Sequence, residues 1–403
     1  MPAVGSVTIV GLSLAGLRCA ETLRRLGFEG PIHAIGAEPH LPYDRPPLSK
    51  EVLAGEWEPA RAMLRNEGLD ELELDLRLGR RAVALAVDLD RGSCTVTLDD
   101  TDVIEADAVV IATGAHARRL PAAICPPELG NVYVLRTLDD AIALRDALRR
   151  GPDRVAVIGA GFIGMEVAAA SRGYGLPVTV VEALAQPMVR GLGERIGAAC
   201  AELHREHGVD LRLGVGVERV DGRGLTLADG ARLDAEIIVV GVGAAPSVGW
   251  LTDSGLAIDN GIVCDETCRA APRVYAAGDV ARWPNPLFDG ELMRLEHWTN
   301  AAEQAAHVAQ QLVSGEAADF APVPFVWSDQ YDCKIQCVGR FDSECDLAVA
   351  HGSLESRKFV ALFGRGERIV GALGFSQPRY VMQYRRLIAE RASWADALAK
   401  AGS

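Results

Sequence analysis

The sequence predicts an α/β protein with two Rossmann-like units and a small α+β domain at the C-terminal end. Three observations carry that prediction. A strand–glycine–helix pattern occurs twice, in "VTIVGLSLAG" (7–16) and in "RVAVIGAGFIG" (154–164). Two β-branched runs end in small residues, "VVIATGA" (109–115) and "VYAAGDVARW" (274–283), as strands do beneath a bound planar group. From Phe320 onward the chain reads as strands ("KIQCVGR", "RKFVALFGR", "ERIVGALGF") followed by a helix ("PRYVMQYRRLIAER"). The expected division assigns 1–113 and 244–319 to one nucleotide unit, 114–243 to the other, and 320–403 to the last domain.

The second glycine pattern is the fuller one. Strand Val155–Ile158 runs into Gly159, Gly161 and Gly164, a complete G-x-G-x-x-G, and a helix follows to about Gly175. Strand Val178–Val181 then ends at Glu182, 23 residues after Gly159, the spacing expected of an acid that binds a ribose. Gly159 permits the tight turn, Gly161 lets the backbone approach a pyrophosphate, and Gly164 packs helix on strand. The helix N-terminus presents free N–H groups and a dipole that favour an anion. Glu182 accepts hydrogen bonds from ribose hydroxyls and repels a 2′-phosphate, and the nearest cation, Arg190, lies eight residues on. The expected ligand is NADH rather than NADPH, with Ile163 and Gly243 also among its binding candidates.

The first pattern lacks one glycine. Gly11 and Gly16 frame the turn and Ala15 lies within it, but Ser13 stands where the second glycine would be. A serine is small, and its hydroxyl can itself donate to a phosphate. Strand Ile32–Ile35 leads to Glu38, 27 residues after Gly11. Asp279 follows Gly278 where a strand meets a helix-like segment, a place from which it can accept from a polyol.

Composition limits the partners. The 403 residues are 49% hydrophobic and 24% charged, a globular profile with room for two or three domains. A formal net charge of -14 argues against nucleic acid and anionic membrane. No apolar run approaches the roughly 18 residues of a membrane span. The opening residues lack a basic n-region and are needed for the first strand, so a cytoplasmic location is expected. Nine cysteines with no CxxC suggest neither a disulfide framework nor a metal site; Cys264/Cys268 and Cys333/Cys337 are each four apart. His204 and His207, in "ELHREH", are expected on the polar face of a helix.

Taken together, these segments resemble the NADH-dependent, FAD-containing ferredoxin reductases of cytochrome P450 and ring-hydroxylating dioxygenase systems, the putidaredoxin reductase type. "LPYDRPPLSK" (41–50), "LRTLDDA" (135–141), "EHWTNA" (296–301) and "WSDQY" (327–331) extend the resemblance over the whole chain. It implies a glutathione-reductase-like flavoprotein with FAD on the first loop and NADH on the second. Gly11, Ser13, Ala15 and Gly16 would hold the FAD pyrophosphate and Glu38 the adenosine ribose. Arg45, Val83, Ala112, Thr113, Gly114, Arg136, Gly278 and Glu296 are implied FAD contacts, and Asp279 is implied for the ribityl chain. The resemblance places Lys50 against the flavin ring, Trp298 near the isoalloxazine, and Glu166 at the nicotinamide end, paired with Lys50. Trp327 is implied at the flavin edge, on the electron exit side. Two departures stand out: Ala37, where relatives often carry Asp, and "PFVW" (324–327), where they often show a second tryptophan.

The implied activity is electron transfer from NADH through FAD to a [2Fe–2S] ferredoxin. Lys50 is one of four lysines in a chain whose other cations are arginine, and a buried ammonium needs a partner. Disulfide reductases of this fold need a redox cysteine pair, whereas "YDRPPLSKEVLAG" (43–55) has no cysteine. Alternatives are a reductase of rubredoxin, monodehydroascorbate or a quinone, and a flavin-binding signalling protein of the apoptosis-inducing-factor type. An acidic ferredoxin needs a local basic patch, for which Arg379, Arg385 and Arg386 are candidates. The chain is expected to be a monomer or homodimer.

Overall fold

The computed structural model describes residues 4–64, 68–88, 92–342 and 344–401, with the side chain of Arg190 outside the described residues. The chain forms two compact units, each drawn from three segments: Met1–Asp44, Met63–His116 and Ala245–Pro324 in one, Arg45–Ala62, Ala117–Ala244 and Phe325–Ser403 in the other.

The first unit is built on a six-stranded sheet in the order Arg269–Ala271, Val274–Ala276, Ala108–Ile111, Val7–Val10, Ile32–Gly36, Leu74–Leu78. All neighbours are parallel except the first pair. Val7–Val10 and Ala108–Ile111 are buried along their whole length, which explains why these strands read as nearly continuous apolar, β-branched runs, broken only by Thr8, rather than alternating ones. Helices Leu14–Arg25 and Trp298–Ser314 pack against each other, with Cys19, Leu23, Ala305 and Val308 fully buried. The first of these helices begins at Leu14, inside the stretch framed by Gly11 and Gly16.

The second unit contains a five-stranded parallel sheet, ordered Asp210–Leu213, Val178–Glu182, Val155–Ile158, Ile237–Val240, Val132–Tyr133. It also contains a five-stranded antiparallel sheet, ordered Phe325–Gln330, Cys333–Gly339, Arg368–Phe375, Lys358–Arg365, Asp346–Ser353. Helices Pro378–Ala389 and Trp394–Ala401 follow it. Its three inner strands are the ones whose apolar runs stand out in the sequence. The two edge strands are mixed in character, and the apolar pattern passes over them.

Helix Phe162–Gly173 is the junction of the second unit. It packs on strand Val155–Ile158, on strand Phe325–Gln330 and on the short helix Pro46–Ser49. Segments more than a hundred residues apart therefore meet along one helix.

Candidate functional site

The first glycine loop lies at the C-terminal edge of its sheet. Val10 pairs with Ile35 and Ile111, and Ile111 with Ala276, so the residues that follow each strand converge there. Gly11 has φ +103°, and a Cβ on it would lie 2.3 Å from the Ala112 carbonyl oxygen. A Cβ on Gly16 would lie 2.0 Å from the Gly11 carbonyl oxygen. Both positions exclude a side chain, so the turn and the helix contact are forced. Ser13 is the N-cap of helix Leu14–Arg25; its side chain makes no capping bond and the first turn holds no acid. The helix N-terminus with Ala15 and Gly16 therefore keeps its N–H groups for an anion, a fit to a pyrophosphate.

Around that edge, Glu38 accepts from Tyr43 Oη at 2.5 Å. Ala112 N–H donates to Val10 O at 2.7 Å, and Thr113 Oγ1 donates to Ser247 O at 2.9 Å. Gly114 O accepts from Ser247 N–H at 3.0 Å. Gly278 N–H donates to the buried Gln304 Oε1 at 2.9 Å, and the Asp279 carbonyl accepts from Arg294 at 3.0 Å. Arg294 also pairs with Glu296 at 2.8 Å. Trp298 opens the helix Trp298–Ser314 and donates its indole N–H to Asp44 Oδ1 at 2.7 Å. Val83, in strand Ala82–Asp88, is exposed.

The second unit repeats the loop. Gly159 has φ +98° and a Cβ there would lie 2.4 Å from Gly241 O, while one on Gly164 would lie 2.0 Å from Gly159 O. Gly161 caps helix Phe162–Gly173 with no side-chain bond and no acid in the first turn, again leaving amides for a pyrophosphate. Glu182, at the end of its strand, accepts from Ala160 N–H at 2.7 Å and from Leu184 N–H at 2.9 Å. Oriented in this way, it can still accept from ribose hydroxyls through its remaining lone pairs. Ile163 is exposed beside the loop, and Gly243 O accepts from Arg118 N–H at 2.9 Å.

The same unit gathers a buried charge cluster. Lys50 Nζ lies 3.0 Å from Glu166 Oε1, with 12% and 3% of the two side chains exposed. Ser49 Oγ donates to Glu166 Oε2 and Ser328 Oγ to Glu166 Oε1, each at 2.5 Å. Lys50 follows the Pro46–Ser49 turn, whose prolines fix the approach of the chain, and also reaches Pro46 O at 3.2 Å. Arg45 donates to the Arg136 carbonyl at 2.5 Å. Trp327 alternates with Ser328 along the strand and stacks near Phe325, with ring centres 5.8 Å apart.

Polar contacts continue inward from Glu166. Gln330 Nε2 donates to Ser328 Oγ at 3.1 Å, His204 Nε2 lies 2.9 Å from Gln330 Oε1, and Tyr331 Oη lies 3.1 Å from His204 Nδ1. His204 is fully buried, which corrects its expected place on a polar helix face. Both ring nitrogens have partners, so a histidine can sit on the packed side of the helix at little cost. Burial pushes its pKa down to about 4.

Sequence reasoning missed Ser49, Ser328, Gln330, Tyr331 and Asp44, and misplaced His204. The partial signal was "WSDQY" itself: in a strand, Ser328 and Gln330 share a face, though only the structure shows that this face is buried.

All nine cysteines are free thiols and seven are buried. Burial raises Cys19, Cys264 and Cys337 to about 12 and Cys94 and Cys333 to about 11. Among the described residues no group of three or more His, Cys, Asp or Glu is placed to hold a metal ion, and no helix is long and apolar enough to cross a membrane.

Two glycine loops, each at the C-terminal edge of its own parallel sheet, define a two-nucleotide oxidoreductase fold. The chain belongs to the pyridine nucleotide-disulphide oxidoreductase family, whose model matches residues 5–305, and a reductase C-terminal model matches residues 325–401. It is 39% identical to rhodocoxin reductase of Rhodococcus erythropolis over 391 residues, 95% of this chain and 89% of the relative. It is 40% identical to the ferredoxin–NAD(+) reductase component of the anthranilate 1,2-dioxygenase system of Burkholderia cepacia, over 94% of this chain and 93% of the relative. The crystal structure of the covalent putidaredoxin reductase–putidaredoxin complex matches with a TM-score of 0.90 and 32% identity, over 96% of this chain and 94% of that one.

Proposed function

We propose that this protein passes electrons from NADH, through FAD, to a [2Fe–2S] ferredoxin that serves a cytochrome P450 or a ring-hydroxylating dioxygenase. The observation that carries this reading is the end-to-end match to ferredoxin reductase components, over 94–95% of the chain. The protein is an oxidoreductase using FAD and NAD(H). A bound FAD would supply the chemistry that joins a two-electron donor, NADH, to a one-electron acceptor.

The chain's residues take the following roles. Ser13, Ala15 and Gly16 offer the first loop's amides and hydroxyl to the FAD pyrophosphate, with Glu38 at the ribose and Asp279 at the ribityl chain. Gly161 and the helix behind it hold the NADH pyrophosphate. Glu182, fixed by two backbone N–H groups, binds the ribose and disfavours a 2′-phosphate. Lys50 and Glu166 stand at the nicotinamide end as a buried ion pair. The buried thiols take no part, because burial keeps them protonated. Nine free cysteines also fit a reducing compartment, the cytoplasm.

The test is NADH-dependent reduction of cytochrome c with and without a panel of [2Fe–2S] ferredoxins. The expected outcome is slow reduction alone and a large acceleration by a ferredoxin. A protein that no ferredoxin accelerates, but that turns over a quinone or monodehydroascorbate directly, refutes the proposal.

A further inference from the structure

The contacts running inward from Glu166 permit one arrangement of hydrogens. Glu166, paired with the Lys50 ammonium at 3.0 Å, is an acceptor only, so Ser328 Oγ–H must donate to it. Ser328 then accepts from the Gln330 amide, which turns Gln330 Oε1 toward His204. His204 must therefore carry its proton on Nε2, and its bare Nδ1 accepts from the Tyr331 hydroxyl. From Tyr331 to Glu166, each donor points at the carboxylate. Glu166, Ser328, Gln330 and His204 are all buried.

The surroundings hold this arrangement in place. Met188 Sδ lies 3.9 Å from Gln330 Nε2. His207 stacks on the Tyr331 ring with centres 3.6 Å apart, and its Nδ1 lies 2.8 Å from the Leu203 carbonyl. Tyr331 sits at the tip of the Phe325–Gly339 hairpin with φ +56°, an unfavourable region for a bulky residue, which the hydroxyl and ring contacts offset. Burial holds His204 neutral at physiological pH. A side-chain amide in the middle of the chain does not relay protons readily, so the array polarises and orients.

We infer that Ser328, Gln330 and His204 are positioning residues: a one-way hydrogen-bond chain from the C-terminal domain that fixes the Glu166 carboxylate, and through it the Lys50 ammonium, for hydride transfer from NADH. This rests on the reading of Lys50–Glu166 given above. Donors on both carboxylate oxygens leave Glu166 one orientation, and preorganised charge is what a transfer step gains from most.

The direct test reads the tautomer. In FAD-loaded protein at pH 7, ¹⁵N NMR of labelled histidine is expected to show His204 entirely as the Nε2–H form. In Glu166→Gln the new amide can donate to Ser328, the chain can reverse, and the Nδ1–H form appears. His204 in the Nδ1–H form in the wild type, or locked as Nε2–H in Glu166→Gln, overturns the inference. The functional arm uses Ser328→Ala, which leaves Glu166 in place. Stopped-flow reduction of the bound flavin by NADH is expected to slow about tenfold with NADH affinity unchanged, and Ser328→Thr restores it. If Lys50→Met slows reduction and Ser328→Ala does not, the positioning role fails alone. If Lys50→Met leaves the rate at the wild-type value, the reading of the ion pair fails and the inference falls with it.

Discussion

In the function proposed above, Glu182 is the one carboxylate that sets the cofactor preference. Its two oxygens are held by the Ala160 and Leu184 amides, so on that proposal the side chain would stay facing a 2′-phosphate. Glu182→Gln keeps an acceptor but removes the charge, and the NADH-to-NADPH ratio of kcat/KM is expected to fall by about tenfold or more. An unchanged ratio would show that the discrimination lies elsewhere. His204 makes a different demand. Its folded pKa of about 4 lies below the ordinary histidine value of 6.5, so the unfolded chain binds the extra proton first as pH falls. Stability from this residue is full above pH 6.5, declines as pH drops toward 4, and levels off below. Between pH 7 and pH 5 the loss is about 2 kcal/mol, and urea titrations of His204→Gln are expected to show that much less acid sensitivity. By the same logic the buried cysteines are expected to be passive. Native protein treated with iodoacetamide at pH 7 is expected to be modified only at Cys125 and Cys345, the two that are not buried, with NADH–ferricyanide activity intact. Mass spectrometry finding a modified buried thiol together with lost activity would bring thiol chemistry back.

At the level of elements, what the sequence reveals depends on how local the constraint is. Gly11, Gly16, Gly159 and Gly164 are legible because turn geometry and a carbonyl within 2.4 Å exclude any side chain there, whatever surrounds the loop. The inner strands of both sheets are legible for a similar reason, since burial on two faces favours a nearly continuous apolar, β-branched run. Strand Phe325–Gln330 is not. Its inward residues are Ser328 and Gln330, and nothing in the sequence tells a satisfied buried polar residue from a solvated one. Their partners lie 162 and 126 residues away, at Glu166 and His204, and only the packing on helix Phe162–Gly173 brings them together. Helix Pro378–Ala389 poses a choice between a solvated face and a docking face. Arg386 is tied to the exposed Glu390 at 2.7 Å, a pair that solvent screens heavily. The Arg385 guanidinium sits 6.0 Å from the Phe325 ring centre, and Arg379 sits 5.0 Å from that of Tyr380. On the docking reading, these arginines are the basic patch for an acidic partner. Reversing Arg385 and Arg386 to Glu is expected to raise the KM for ferredoxin about tenfold and leave NADH kinetics alone. Steady-state assays with each substrate varied in turn check both halves, and an unmoved ferredoxin KM removes this helix from the docking surface.

For the whole molecule the governing quantity is a net charge of -14. A ferredoxin of the usual acidic kind is repelled by that field at long range, so association depends on what survives screening. At physiological salt the Debye length is about 8 Å, and charges farther apart than that contribute little. A small basic patch, as proposed on helix Pro378–Ala389, would then dominate at contact even though the protein as a whole has the wrong sign. The two effects respond oppositely to salt: screening the global field helps association, while screening the patch weakens the complex. Because the long-range repulsion is already mostly screened near 0.15 M, further salt acts chiefly on the patch. The KM for ferredoxin is therefore expected to rise several-fold between 0.15 and 0.5 M NaCl, while ferricyanide reduction, which needs no protein docking, changes little. Carrying the same titration through the Arg385/Arg386 reversal separates the contributions: the salt dependence should flatten if those arginines form the patch. A ferredoxin KM that ignores salt in the wild type would instead mark docking as mainly apolar, and Trp327 would become the residue to replace.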